Sequence, residues 1–260
     1  MLNLNKDKIK YEYYGSRAIL LVFLLIEFIS IITLFFGFYL DLLPIKILGI
    51  IGIVIGLYII IGNFVGMYSL IRNSQKNKDI LDKITNSLNI KGSEIILDAG
   101  CGRGRISNLM AKKLSSGRVF GIDIGDKIIS SSDIISRAKQ NAVYEGVSEK
   151  TEFIRGNILA LPFKQNNFDI ITCNSVLYYV KNENKTTHAV KEVKRVLNSN
   201  GKLLVLEMVR SVRGFFISTP FFYKNLGKKE EWKKIICKEG FEEIEQYYDR
   251  GRVVFVFNKI

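Results

Sequence analysis

Histidine, cysteine and proline are scarce in this 260-residue chain, with one, three and three copies respectively. Cys101, Cys173 and Cys237 lie far apart and form no CxxC pair. That excludes a disulfide scaffold and a Cys/His zinc site, so no metal is expected. A reducing, cytosolic compartment fits such cysteine usage. Negative charge is also short: 25 Asp and Glu face 38 Lys and Arg, a formal net charge of +13. Internal repeats and low-complexity linkers are missing. With 48% apolar residues the chain has ample material for a core, which excludes disorder. Mean hydropathy is +0.14 although 24% of residues are charged. The apolar residues must therefore be concentrated.

They are concentrated near the N-terminus. Residues 18–40 (AILLVFLLIEFISIITLFFGFYL) carry one charge, Glu27, and residues 45–71 (IKILGIIGIVIGLYIIIGNFVGMYSLI) carry one, Lys46. About 20 apolar residues span a bilayer core as a helix. A cleaved signal peptide is excluded, because the first run is too long and a second follows at once. The four-residue link Asp41-Leu42-Leu43-Pro44 allows only a tight hairpin, with Pro44 in a first helical turn. Lys6, Lys8, Lys10 and Arg17 precede the hairpin, and Arg72, Lys76, Lys78 and Lys83 follow it. The positive-inside rule then places both flanks, and everything after residue 72, in the cytoplasm. The expected organisation is a basic N-terminus (1–17), a transmembrane hairpin (18–71), an amphipathic linker helix (72–92) and a globular domain (93–260). Gly52/Gly56 and Gly62/Gly66 are small-xxx-small pairs, suited to packing within the hairpin or to a homodimer. Glu27 lies about 15 Å along the first helix, and is expected to be neutral and bonded to Tyr58 or Asn63.

From residue 94 onward, strand and helix patterns alternate. Strands are expected at 94–98, 118–123, 151–157, 168–175, 201–208, 241–248 and 253–258. Helices are expected at 104–114, about 127–145, 183–197 and 230–238. This order implies an α/β fold: a doubly wound, seven-stranded, mostly parallel sheet with an antiparallel last strand at the edge.

The stretch Asp98-Ala-Gly100-Cys101-Gly102-Arg103-Gly104-Arg105 follows the first strand and opens the first helix. A glycine loop there admits a ligand to the backbone. The spacing is GxGxG rather than GxGxxG, since position 105 is Arg. Asp98 precedes the loop, where a carboxylate repels pyrophosphate and suits a cationic or amine-bearing ligand. Asp123 ends the second strand, where it can accept both hydroxyls of a ribose.

Residues 90–260 resemble the class I, seven-stranded S-adenosylmethionine-dependent methyltransferases, small-molecule and quinone-type branch. ILDAGCGRGR looks like the family's first motif. VFGIDI, EFIRGNILALPF, FDIITCNSVLYYV and EVKRVLNSNGKLLVLE follow in the expected order. The chain also resembles short membrane-anchored methyltransferases in which two spans precede this domain. The resemblance implies that Asp98 and the Gly100, Cys101, Gly102 and Gly104 loop surround the methionine and ribose parts of S-adenosylmethionine. It implies that Asp123 binds the ribose hydroxyls and Ile124 packs on adenine. Asn157 and Ile158 would meet the adenine edge, and the Asn174 carbonyl would receive the methionine amino group. Asn157 stands where the family usually has Asp, and Ser199-Asn200-Gly201 where it has Pro-Gly-Gly. The Asn-Pro-Pro-Tyr motif of amino-group nucleic-acid methyltransferases is replaced by Asn174-Ser175-Val176-Leu177.

Candidates for acceptor-side chemistry are Tyr178 and Tyr179 after the fourth strand and Glu207 near the end of the fifth. Each tyrosine could be a wall residue, and Glu207 a surface carboxylate. His188 reads as a solvated helix residue. Residues 211–232 interleave Phe215, Phe216, Phe221, Phe222, Tyr223 and Trp232 with Arg213, Lys224, Lys228 and Lys229. Such a segment can line an apolar pocket, meet a bilayer interface or cap the core, and it is expected to face the membrane and admit a lipid-soluble acceptor. The domain from Glu94 onward carries 28 Lys and Arg against 19 Asp and Glu. The anionic leaflet is the expected owner of that charge, since no base-reading motif points to nucleic acid. The expected activity is methylation of a hydrophobic or lipid-like small molecule. The alternatives are a tethered protein or RNA methyltransferase and a non-catalytic donor-binding protein.

Overall fold

The structure is a computed structural model. It describes residues 16–58, 84–125, 133–180, 182–211, 226–249 and 252–260, with side chains excepted for 16–24, Glu27 and Asp249. The chain forms two compact units, a helical hairpin and an α/β domain.

In the hairpin, α1 spans Ser16–Tyr39 and α2 runs from 43 through 58. Pro44 falls in the first turn of α2, where its missing N–H leaves no bond unmade. Asp41 turns the chain with φ of 52° and its carboxylate meets Lys46 Nζ at 2.6 Å. The helices touch through small residues. A Cβ on Gly49 would lie 2.7 Å from Leu34, one on Gly52 2.4 Å from Ser30 Oγ, and one on Gly37 2.7 Å from the Lys46 nitrogen. Gly49 and Gly52 are thus used for packing within the hairpin, the first of the two uses expected of the glycines. Ser30 and Thr33 donate to the carbonyls of Ile26 and Ile29 at 2.9 Å each, which satisfies both hydroxyls inside the helix. Outward-facing Phe28, Phe35, Phe38, Leu43, Leu48 and Val54 remain exposed on this unit. Among the described residues no helix is long and apolar enough to cross a membrane. The rest of the second run (59–71), Asn63, the Gly62/Gly66 pair, the linker up to 83 and the Glu27 side chain lie outside what is described. The linker's Ile84 and Leu88 are buried in the α/β domain.

The domain sheet contains β1 (Ile95–Ala99), β2 (Arg118–Asp123), β3 (Thr151–Arg155), β4 (Phe168–Asn174), β5 (Leu197–Met208), β6 (Phe241–Asp249) and β7 (Arg252–Lys259). Their order is β3-β2-β1-β4-β5-β7-β6. The pairs among β1 to β5 are parallel, while β7 runs antiparallel to both β5 and β6. The antiparallel last strand is therefore inserted beside β5, and β6 forms the edge. β5 starts at Leu197, four residues ahead of the sequence expectation, because its first residues extend the ladder with Phe168.

Helices α3 (Arg105–Ala111) and α4 (Ile134–Tyr144) pack with each other and with β1 to β3; α5 (Glu183–Val196) and α6 (Lys229–Lys238) pack with each other and with β5 and β6. In α5 the buried residues Thr186, Ala189, Val190, Val193 and Val196 recur at helical spacing, and the Asn182 side chain caps its first turn through Lys185 N–H at 2.8 Å. The central strands are apolar almost throughout, as strands covered on both faces must be. Trp232, counted with the aromatic segment in the sequence, belongs to the core instead. Residues 212–225 of that segment lie outside the described residues.

The sheet reverses its order between β1 and β4, so a crevice opens there at the carboxyl ends of the strands. Phe168 at the foot of β4 is fully buried and meets Phe120 and Phe163 edge-on at 5.9 and 4.8 Å. Phe168→Ala should destabilise the domain by about 3–5 kcal/mol. Thermal unfolding followed by the fluorescence of Trp232, the chain's single tryptophan, reads this directly.

Candidate functional site at the β1 and β4 carboxyl ends

Three glycines shape the loop after β1. Gly100, Gly102 and Gly104 have φ of 80°, 54° and 78°, a region where side chains strain the backbone. Space forbids a side chain as well. A Cβ on Gly100 would lie 2.6 Å from Val176, and one on Gly104 2.9 Å from the Phe153 ring. The Gly100 and Cys101 N–H groups both donate to the Ile122 carbonyl at 2.8 Å, which ties the loop to β2. Cys101 is buried, and burial holds its thiol well above the ordinary range, so it is no nucleophile. The same cause raises the Cys173 thiol in β4.

Asp98 is almost fully enclosed. One carboxylate oxygen accepts from the Ser107 N–H at 3.1 Å and hydroxyl at 2.5 Å; the other accepts from Thr172 Oγ1 at 2.9 Å. Its carboxylate is therefore engaged within the fold rather than open to the crevice. Burial pushes its carboxyl up to about 6, against the pull of the Ser107 and Thr172 bonds.

Asp123 ends β2 and is partly exposed. One oxygen accepts from Gly102 N–H at 3.0 Å and the other from Gly125 N–H at 2.8 Å. Each carboxylate oxygen has a second lone pair, so both can still accept a hydroxyl. Next to it the Ile124 side chain is 57% exposed, an apolar surface at the lip of the crevice.

The loop after β3 carries Asn157 and Ile158. Asn157 is exposed, and its Oδ1 accepts from Leu159 N–H at 3.0 Å in a local turn. Ile158 is buried in the core, which leaves its main chain for any ligand contact. Residues the sequence reading passed over hold this loop. Arg195 makes a two-point contact with Glu192 (2.7 and 2.9 Å) and donates to the Phe163 and Leu161 carbonyls at 2.8 and 3.0 Å. Glu192 accepts from Leu161 N–H at 2.8 Å, and the Arg195 bond holds its carboxyl below the usual range. His188, read as merely solvated, is exposed but sets Nε2 2.9 Å from the Leu159 carbonyl. The i, i+4, i+7 spacing of these three on α5 was the available signal.

At the end of β4, Asn174 is half-buried and its Oδ1 lies 3.4 Å from the Ser175 hydroxyl. Ser175 turns the chain with φ of 53° while its N–H donates to Leu206 at 2.7 Å. A 3-10 turn, Leu177–Val180, follows. It presents Tyr178, half-buried, and Tyr179, 44% exposed, with ring centroids 4.0 Å apart. Glu207 is not a surface carboxylate. It is fully buried, and its Oε1 accepts from the Val176 and Leu177 N–H groups at 3.0 and 2.7 Å.

Burial pushes the Glu207 carboxyl up to about 8, against those backbone bonds. The folded chain thus binds a proton that the unfolded chain releases above its ordinary value of 4.5. Its contribution is complete below that value and is lost as pH rises toward 8, by up to about 1.4 kcal/mol per pH unit. Relative to Glu207→Gln, which does not titrate, the wild type should lose stability between pH 5 and pH 8. Unfolding midpoints of both proteins across that range, read by Trp232 fluorescence, check the sign.

The arrangement fits the sulfonium nucleoside that the resemblance implies: backbone free of side chains at the loop, a carboxylate with open lone pairs and an exposed apolar neighbour. Residues 90–248 match the family model described as a methyltransferase domain. Similar curated proteins include a 2-phytyl-1,4-naphtoquinone methyltransferase from Trichormus variabilis, 28% identical over 155 residues, covering 56% of this chain and 64% of the relative. A demethylmenaquinone methyltransferase from Lactobacillus johnsonii is 28% identical over 154 residues, covering 56% and 59%. The chain thus spans less than two thirds of the length of these relatives. Among solved structures, a SAM-dependent methyltransferase from Aquifex aeolicus has a TM-score of 0.58 at 16% identity, covering 69% of this chain and 89% of that one. A geranyl diphosphate C-methyltransferase from Streptomyces coelicolor, with S-adenosyl-L-homocysteine bound, has a TM-score of 0.58 at 13% identity, covering 71% and 79%. Those identities show a shared fold alone. The family match extends over more than half of the chain, and on that ground the protein belongs to the methyltransferase-domain family, with a Rossmann-like fold.

Proposed function

We propose that the chain transfers a methyl group from S-adenosylmethionine to a lipophilic small molecule, held beside a membrane by its N-terminal hairpin. The observation that carries the reading is the crevice between β1 and β4, beside which the glycine loop, Asp123 and Ile124 lie together. When bound, the donor supplies a methyl carbon already activated by its sulfonium. The chain's task is then placement, and proximity can supply most of the acceleration. Asp123 accepts the ribose hydroxyls through its open lone pairs, Ile124 covers the adenine face, and Asn157 offers its amide to the adenine edge. The Asn174 carbonyl receives the amino group of the methionine part. Tyr178 and Tyr179 stand after β4, on the side from which an acceptor would approach, and can orient it or take a proton from a phenol or alcohol.

Two observations support a lipophilic acceptor. The curated relatives named above are a 2-phytyl-1,4-naphtoquinone methyltransferase and a demethylmenaquinone methyltransferase. The hairpin unit leaves rows of large apolar side chains exposed on both helices, and the two apolar runs in the sequence have spanning length. A bilayer is the occupant that covers such surfaces on all sides, with both flanks and the domain on the cytoplasmic side.

Full-length protein should remain in the membrane pellet after alkaline carbonate extraction; recovery in the supernatant would overturn the anchor. Radiolabelled methyl from S-adenosylmethionine should enter a total lipid extract, and label confined to protein or RNA would overturn the acceptor class. Asp123→Ala should weaken donor binding by about 10- to 100-fold, the equivalent of about 1.5–3 kcal/mol for hydrogen bonds to a charged group. Titration calorimetry on the purified protein measures it.

A further inference from the structure

Glu207 is a carboxyl placed where stability alone does not explain it. It lies in β5 opposite Val253 of β7, within an apolar layer that includes Val205, Leu206 and Val254. Its Oε2 is buried and has no hydrogen-bond partner among the described residues. Such an oxygen carries a desolvation penalty that an apolar side chain would not. What the residue does is done through Oε1. That atom collects the N–H groups of Val176 and Leu177, the two residues after the left-handed turn at Ser175.

Val176 is the link to the crevice. Its side chain fills the space a Cβ on Gly100 would take, with the nearest approach at 2.6 Å. Gly100 ends the β1 lip and Val176 ends the β4 lip. The two lips meet at this contact, and Oε1 of Glu207 accepts from the N–H groups of the second. Without that acceptor, the buried Leu177 N–H and the part-buried Val176 N–H lose their partner, and the turn must move to find water or another carbonyl.

We propose that Glu207 is a positioning residue for the methyl donor, fixing through the Val176 and Leu177 amides the β4 lip that closes against the glycine loop. The inference rests on donor binding at the β1/β4 crevice. It differs from a base or surface role for Glu207, because the carboxyl need only accept two backbone hydrogen bonds.

The test uses full-length protein in detergent, with S-adenosylmethionine as titrant and Trp232 fluorescence as the measure of folding. Wild-type protein that fails to bind the donor would refute the functional reading and not the role of Glu207 in particular. Given wild-type binding, Glu207→Leu should weaken the donor by about tenfold or more, in line with the loss of two buried acceptor bonds. Glu207→Gln keeps an acceptor oxygen and should restore affinity to within about threefold. A Leu variant that binds like wild type below its unfolding temperature overturns the proposal. So does a Gln variant as weak as the Leu variant. If Glu207→Leu does not fold, Val176→Ala decides: it trims the same lip without touching the acid, and unchanged donor affinity there would refute the positioning role.

Discussion

The burial of Asp98 is the constraint on which the α/β domain turns. Its carboxyl joins three elements at one point: β1, which carries it; α3, through the Ser107 amide and hydroxyl; and β4, through Thr172. Removing an acid from water is costly unless it is hydrogen-bonded, and here three donors offset part of that cost. Because the site forms where β1 and β4 diverge, this bond set holds both strands and the start of the first helix in register around the crevice. The ligand-facing parts are consequences of that anchor. The glycine loop spans the gap between Asp98 and Ser107, and its curvature is imposed by where those two residues must sit.

Around that anchor the crevice is assembled from bonds that use one end of a group and leave the other open. Asp123 takes the amides of Gly102 and Gly125 and keeps lone pairs for a ligand. Asn157 closes a turn with Oδ1 on the Leu159 amide, and its side-chain amide points to no bond within that turn. Both residues are thereby oriented before anything binds, which lowers the entropy lost on association. The outer loop has a second tier of support in α5, where Glu192 and Arg195 hold the main chain of Leu161 and Phe163. A charged pair serves here because main-chain carbonyls and an amide at a loop need donors and an acceptor together, and Arg with Glu supplies both.

What was legible in the sequence follows from how local its causes are. The order of strands and helices could be read because apolar runs and glycine punctuation act over a few residues. The glycine loop and Asp123 were legible because their spacing relative to strand ends is itself the motif. The fate of Asp98 was not, since Thr172 lies 74 residues away and the pairing appears only when β4 is set beside β1. Glu207 was read as a candidate for acceptor-side chemistry with a surface carboxylate as the alternative, and its burial was not legible for the same reason: its partners come from another strand's end, 30 residues earlier. Ile158 looked like a ligand neighbour by position in its motif, yet its side chain turns into the core while the exposed place falls to Asn157. His188, Glu192 and Arg195 share a helix face, but nothing in their spacing said which loop they would meet.

The hairpin follows a different logic from the domain it precedes. In the domain, apolar side chains are hidden between layers, and polar groups such as Asp98 and Glu207 are placed inside at a cost. In the hairpin, the inward positions are Gly37, Gly49, Gly52 and Ser30, and the large apolar side chains point outward. Water penalises that inversion by about 25 cal/mol for every square ångström left exposed, whereas hydrocarbon does not. Close backbone packing through glycine is what brings the two helices of this unit together. The same chain thus carries two folding codes.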